Sequence, residues 1–146
     1  MKTFKGRIIA PGTCSAKAVV THQGFNTLAS LQKALQFGDK TAKVSDQNNP
    51  DLYGKSIAGK ALCLPQTIGS TTGGLVLYCA CEMKRNPACM LFSNRIDSLA
   101  CAGSVLASVW SDTKMVVIDE LGDEFLAYVK DGDTISIAED GTVTVE

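Results

Sequence analysis

The chain has 146 residues, of which 45% are hydrophobic, 20% charged and 6% aromatic, and its 14 basic and 15 acidic side chains leave a formal net charge of -1. Such a length suits a single domain with its own core, and ordinary apolar content with almost no net charge excludes a disordered segment. No basic surplus exists to neutralise nucleic-acid phosphates, and no apolar run approaches the roughly 20 residues of a bilayer span. No nucleic-acid and no membrane partner is therefore expected.

The segment Met1 to Ala10 carries Lys2, Lys5 and Arg7 without a long apolar stretch. It does not read as a signal peptide, so the expected compartment is the cytoplasm. Lys5 to Ala10 reads as a first strand closed by Pro11-Gly12, and Ala16 to Thr21 as a second. Leu28, Leu31, Ala34 and Leu35 recur at helical spacing, which predicts a short amphipathic helix over Thr27 to Phe37 with Gly38 as its stop. Asp39 to Lys60 is polar and rich in turn formers, Asp46-Gln47-Asn48-Asn49-Pro50-Asp51 above all, and reads as a long loop. A linker between domains is one reading; at this chain length a loop beside a functional site is the expected one.

Ala61 to Pro65 reads as a short buried strand, and Gln66 to Gly74 as a glycine- and hydroxyl-rich loop. A buried helix is predicted from Leu75 to Met83, ending before Pro87, and an apolar strand from Cys89 to Ser93. Ile96, Leu99, Ala100, Gly103, Leu106, Ala107 and Trp110 then fall at helical spacing, with Asp97 and Ser98 at the start. Met115 to Asp119 is a further apolar strand. The alternation of strands and helices is a βαβαβ pattern, which calls for a parallel sheet layered with helices. Thr134 to Ala138 and Thr142 to Val145 alternate around Glu139-Asp140-Gly141, a hairpin pattern with Asp-Gly at the turn. The fold class is therefore α/β, a central βαβαβ unit with β-rich ends, and no repeat is visible.

The loop Gly69-Ser70-Thr71-Thr72-Gly73-Gly74 admits two readings. Glycines let a ligand approach the backbone, and a helix start favours a carboxylate or phosphate. The alternative is a capped turn that merely begins a helix. It is not a Walker loop, it lacks the G-x-G-x-x-G spacing, and its serine follows a glycine directly, unlike a nucleophile elbow. Six cysteines, Cys14, Cys63, Cys79, Cys81, Cys89 and Cys101, sit mostly among apolar residues and read as reduced core side chains. Cys79 and Cys81 form a C-x-C, but no second pair and no histidine nearby completes four metal ligands. His22 is the single histidine and reads as a surface or loop residue.

One series of motifs resembles the swivel domain, or small subunit, of the aconitase X family of hydro-lyases. It comprises Gly6-Arg7-Ile8-Ile9, Leu52-Tyr53-Gly54-Lys55-Ser56-Ile57-Ala58-Gly59-Lys60-Ala61-Leu62, Pro65 and Gly69-Ser70-Thr71. Ile96-Asp97-Ser98-Leu99-Ala100-Cys101-Ala102-Gly103-Ser104, Val117-Ile118-Asp119 and Asp131-Gly132-Asp133 complete it in the family's order. The resemblance implies a compact swivelling β/β/α domain over residues 1–146 that works against a larger catalytic subunit. That partner would be a separate polypeptide and would carry an iron–sulfur cluster, none being bound by this chain alone. The reaction implied is removal of water from a small hydroxy acid, with Ser70 as proton acceptor. Gly69, Thr71, Thr72, Asn26 and Thr27 are the substrate-binding candidates, although Asn26 and Thr27 serve equally well as caps of the following helix. Family substrates include cis-3-hydroxy-L-proline and mevalonate 5-phosphate.

Two stretches depart from much of the family. Phe25-Asn26-Thr27-Leu28-Ala29-Ser30 stands where many members have Gly-Gly-Val-Asp, and Thr67-Ile68-Gly69-Ser70 where many have Gly-Arg-Gly-Ser. Loss of that arginine argues against a phosphorylated substrate, which usually needs a fixed cation. Both forms resemble the hydroxyproline branch, so cis-3-hydroxy-L-proline is the expected substrate. Competing expectations are a non-catalytic module that binds a small acid or a partner protein, and a redox protein built on Cys79 and Cys81.

Overall fold

Two wholly apolar runs, Ala61–Leu64 (β5) and Cys89–Phe92 (β7), have every residue buried. A strand with no wet face needs a layer on each side, and the rest of the chain supplies both. The computed structural model describes residues 1–69 and 71–146. The remaining strands are β1 (Lys2–Phe4), β2 (Arg7–Ala10), β3 (Cys14–Val20), β4 (Phe25–Asn26), β6 (Thr67–Ile68), β8 (Val116–Asp119), β9 (Thr134–Ile137) and β10 (Val143–Val145). The helices are α1 (Thr27–Phe37), α2 (Gly73–Glu82), α3 (Ser98–Trp110) and α4 (Asp123–Tyr128).

Among the described residues one eight-stranded sheet runs in the order β1-β10-β9-β3-β5-β7-β8-β2, and β4 pairs with β6 in a separate two-stranded ribbon. The pairs β3–β5, β5–β7 and β7–β8 are parallel, as the alternation of strands and helices requires. Antiparallel strands flank this block, β9 against β3 and β2 against β8. One core lies between the sheet and α1, α2 and α3, where Leu31, Leu77 and Ala107 meet Leu62, Leu64, Met90 and Phe92. The alternate residues Cys63, Leu91 and Ile118 point to the other face, which Phe125 of α4 and the β9–β10 hairpin cover. No helix among the described residues is long and apolar enough to cross a membrane.

The limits of α1 follow from its caps. The Asn26 side chain accepts from the Ala29 N–H at 3.1 Å, and Gly38 takes the left-handed conformation, φ 72°, that ends the helix. The expected first strand, Lys5 to Ala10, is shortened to β2, Arg7–Ala10, at one edge of the sheet, and β1, Lys2–Phe4, forms an unexpected strand at the other edge. The chain breaks at Gly6, where a Cβ would lie 2.2 Å from the Asp119 carbonyl oxygen. Gly73 and Gly74, expected in the loop, open α2 instead. The segment 39–60 forms no named strand or helix, yet Leu52 and Ile57 are fully buried and Ser45 hydrogen-bonds the Ala29 carbonyl of α1 at 2.6 Å.

Candidate functional site

Three helices begin just beyond the carboxyl ends of parallel strands: α1 after β3, α2 after β5 and α3 after β7. That end of a parallel sheet is where ligands bind in open α/β folds, because helix N-termini face the crevice. The intervening loops are short and are tied to one another. Phe25 and Asn26 pair in parallel with Thr67 and Ile68, and the Phe25 N–H donates to the Gln66 carbonyl at 2.9 Å. The ribbon thus joins the start of α1 to the loop after β5.

Between the helix starts lies a cleft of about 330 Å³. Thr27 of α1, Gly73 of α2 and Leu99 of α3 line it, together with Thr67, Ile68, Gly69 and Asp97. Two hydrogen-bonded anchors shape it. The Asp97 carboxylate caps α3, accepting the Leu99 and Ala100 N–H groups at 3.1 and 3.0 Å. Its other oxygen accepts the Thr67 hydroxyl, which fastens the β6 loop to α3. On the opposite side Gly69 has φ 102°, and a Cβ there would lie 2.6 Å from the Asn26 Nδ2. Only glycine accommodates both the backbone conformation and the amide packed against it.

The sequence-predicted residues divide accordingly. Thr27 and Gly69 line the cleft. Asn26 caps α1 through its Oδ1 and packs its amide nitrogen on Gly69, so it shapes the loop. Thr71 and Thr72 are exposed, and Thr72 is the cap position one residue before Gly73. Ser70, the expected proton acceptor, lies outside the described residues. Sequence reasoning did not select Thr67, Ile68, Asp97 or Leu99. Asp97 carried a helix-start signal, but nothing local showed that a residue 30 positions away hydrogen-bonds it.

A second carboxylate supports the site from below. Asp119, at the end of β8, is fully buried, receives the Arg7 guanidinium at 3.0 and 2.6 Å and accepts the Ile96 N–H at 2.8 Å. Burial pushes its pKa up, but the Arg7 pair and the Ile96 hydrogen bond outweigh burial and hold it below the ordinary aspartate value. It therefore stays charged and fixes the chain entering α3.

All six cysteines are free; Cys63, Cys81 and Cys89 are buried and Cys14, Cys79 and Cys101 half-buried. Cys81 packs in the core beneath α2 and burial pushes its pKa up to about 11, followed by the effect of Glu82. No group of three or more histidine, cysteine, aspartate or glutamate side chains among the described residues is placed to hold a metal. The cysteines of this chain do not fit an iron–sulfur ligand set, and no step is routed through a cluster held by them. His22 is exposed, in a separate depression with Lys55 and Asp131.

Comparison with known proteins gives the context. The phosphomevalonate dehydratase small subunit of Methanosarcina mazei is 26% identical over 136 residues, 92% of this chain and 83% of that one. The corresponding subunit of Thermococcus onnurineus is 25% identical over 144 residues, 98% of each chain. That of Aeropyrum pernix is 33% identical over 92 residues, 63% of this chain and 64% of its own. The crystal structure of Thermococcus kodakaraensis aconitase X in its holo-form superposes with a TM-score of 0.79 at 24% identity, over 100% of this chain and 99% of that chain. A solution NMR structure of a UPF0107 protein gives 0.78 at 23%, over 99% of each. The model of the aconitase X swivel domain matches residues 3–145, and the chain belongs to that family.

Proposed function

We propose that residues 1–146 form one swivel domain, the small subunit of a cytoplasmic two-subunit dehydratase whose large subunit carries an iron–sulfur cluster. The substrate is cis-3-hydroxy-L-proline. Family membership and the names of the relatives support the dehydratase class. Six reduced thiols suit a reducing compartment.

The observation that carries the substrate assignment is the charge of the cleft. Its described lining contains the Asp97 carboxylate and no lysine or arginine, and apolar Ile68 stands at the rim. A phosphate dianion would face a carboxylate with no fixed cation to offset it. A cyclic imino acid brings a cationic nitrogen suited to Asp97 and a carboxylate suited to the helix starts of α1 and α2. The second reading, mevalonate 5-phosphate, is favoured by the relatives, which are named phosphomevalonate dehydratase small subunits.

Dehydration of a 3-hydroxy acid moves a proton from the carbon bearing the carboxylate and hydroxide from its neighbour. A cluster held by the large subunit would supply Lewis acidity for the leaving hydroxyl. Ser70 accepts the proton. A serine does this only if its oxyanion is stabilised, and the loop that carries it leads into the N-terminus of α2, where backbone N–H groups supply partial positive charge. Gly69, packed on Asn26, and Thr67, tied to Asp97, fix the chain up to Gly69.

The test is co-expression with the large subunit, anaerobic purification and dehydration assays on both substrates. Turnover of the imino acid supports the assignment; turnover of the phosphate alone keeps the class and reverses the substrate. Ser70→Ala is expected to abolish turnover while leaving the complex assembled. Wild-type turnover of that variant would remove Ser70 from its role.

A further inference from the structure

We infer that the outer face of α3 is the seat of the dehydratase large subunit; this rests on the two-subunit reading above. The helix is built the wrong way round for a surface helix. Ser98–Trp110 contains no charged residue, although 20% of the chain is charged. Its inward positions are the small residues Ala100, Gly103, Ser104 and Ala107. Its large apolar residues point out: Leu99, Val105, Leu106, Val109 and Trp110 are exposed, the last two at 69% each. A surface helix ordinarily buries its large apolar side chains and shows charge to water. Here the inner face serves close contact with α2, and the outer face has the composition of a buried one.

The choice of occupant follows from position and chemistry. Leu99 belongs both to this face and to the cleft lining, so whatever covers the face reaches the rim of the site. Val109 and Trp110, the most exposed of the set, carry the face to the far end of α3. A second copy of this chain would bring only the same residues, and the described residues hold no cluster able to carry an electrophile for the leaving hydroxyl. The partner that completes the site is the one that brings that electrophile. Its complementary patch is apolar and uncharged, as in a permanent interface, because a charge buried against α3 would find no partner.

The experiment uses this chain co-expressed with the aconitase X-type large subunit of the same genome. Val109→Glu and Leu106→Glu place charge at exposed positions of α3, outside the cleft; Phe37→Glu, at the exposed end of α1, is the control. The α3 variants are expected to fold with wild-type circular dichroism and melting, yet bind the large subunit at least about 100-fold more weakly, while the control binds normally. Wild-type affinity of folded Val109→Glu would overturn the assignment of the face and leave the dehydratase reading intact. A wild-type chain that dimerises alone and becomes monomeric with Val109→Glu, with large-subunit binding unchanged, would overturn it in favour of a second copy. Failure of the wild-type pair to form any complex would overturn both readings together.

Discussion

Replacing Gly103 by alanine would put a methyl group 2.2 Å from the carbonyl oxygen of Gly74 and 2.7 Å from its Cα. An ordinary carbon–oxygen contact is roughly 3.3 Å, so α2 and α3 must part by about 1 Å or bend. Both crowded atoms are main chain, and no rotamer relieves them. Helix propensity acts in the opposite direction, favouring alanine over glycine by about 1 kcal/mol. Overpacking against backbone belongs at the upper end of its usual range, about 3 kcal/mol, which leaves a net loss of about 2 kcal/mol. For a chain of this size that lowers Tm by roughly 6 to 8 °C. Gly74→Ala is expected to act the same way, because its Cβ would lie 2.2 Å from the Leu99 carbonyl oxygen. Urea and thermal unfolding of both variants give the sign directly. If Gly103→Ala raises the melting temperature, propensity alone governs the site and the close crossing of α2 and α3 is wrong. Ala102→Gly, at an exposed position of the same helix, calibrates propensity and is expected to cost about 1 kcal/mol.

Acid stability reads the buried carboxylate. The folded pKa of Asp119 lies below the unfolded value of about 3.9, so its contribution is fully present above that pH and disappears as pH falls through the folded value. Asp119→Asn is expected to flatten this acid limb in denaturation curves measured against pH; an unchanged limb would mean that Asp119 contributes nothing to it. The thiols form a second set. Burial pushes Cys63 up, while Cys89 is raised by its hydrogen bond to Cys14 and by burial. Cys81 stands at about 11, again chiefly through burial. At pH 8 these three are expected to react with a thiol reagent only on unfolding, leaving at most Cys14, Cys79 and Cys101 accessible in the native chain. Rapid native modification of Cys81 would revive the redox reading of the C-x-C pair.

Much of the fold was legible because the elements concerned are long or strongly capped. The helix over Thr27 to Phe37 was readable to the residue, since Gly38 marks its end and four apolar residues recur at helical spacing, two of which, Leu31 and Ala34, are buried. The βαβαβ unit was readable from two runs buried on both faces, β5 and β7, with helical spacing between and after them. What escaped was short. The ribbon strands β4 and β6 have two residues each, and α4 has six, too few for any period to show. The break at Gly6, which delays β2 to Arg7, was hidden for a different reason. Gly6 reads as an ordinary weak strand residue until the close approach of the Asp119 carbonyl is known. At the site, Gly69 was visible because a glycine next to Ser-Thr-Thr is conspicuous in a sequence. The Thr67–Asp97 fastening was not, because the sheet brings its two ends together across a helix and a strand.

Asp97 gives the cleft its sign, and one substitution isolates that role. Asparagine caps a helix about as well as aspartate, so Asp97→Asn removes the charge while keeping an oxygen for the Leu99 and Ala100 N–H groups. Two units of negative charge about 5 Å away would be opposed by about 1.7 kcal/mol at the dielectric of water, the appropriate limit for an exposed carboxylate. That energy is close to a seventeenfold change in affinity. In the assembled enzyme the substitution is expected to lower KM for mevalonate 5-phosphate by up to about that factor and to raise KM for cis-3-hydroxy-L-proline, with opposite signs for the two substrates. A structural role alone moves both in the same direction, because distortion of α3 does not distinguish a cation from a dianion. Parallel shifts would therefore refute the charge argument and return the substrate question to the relatives, whose names point to the phosphate.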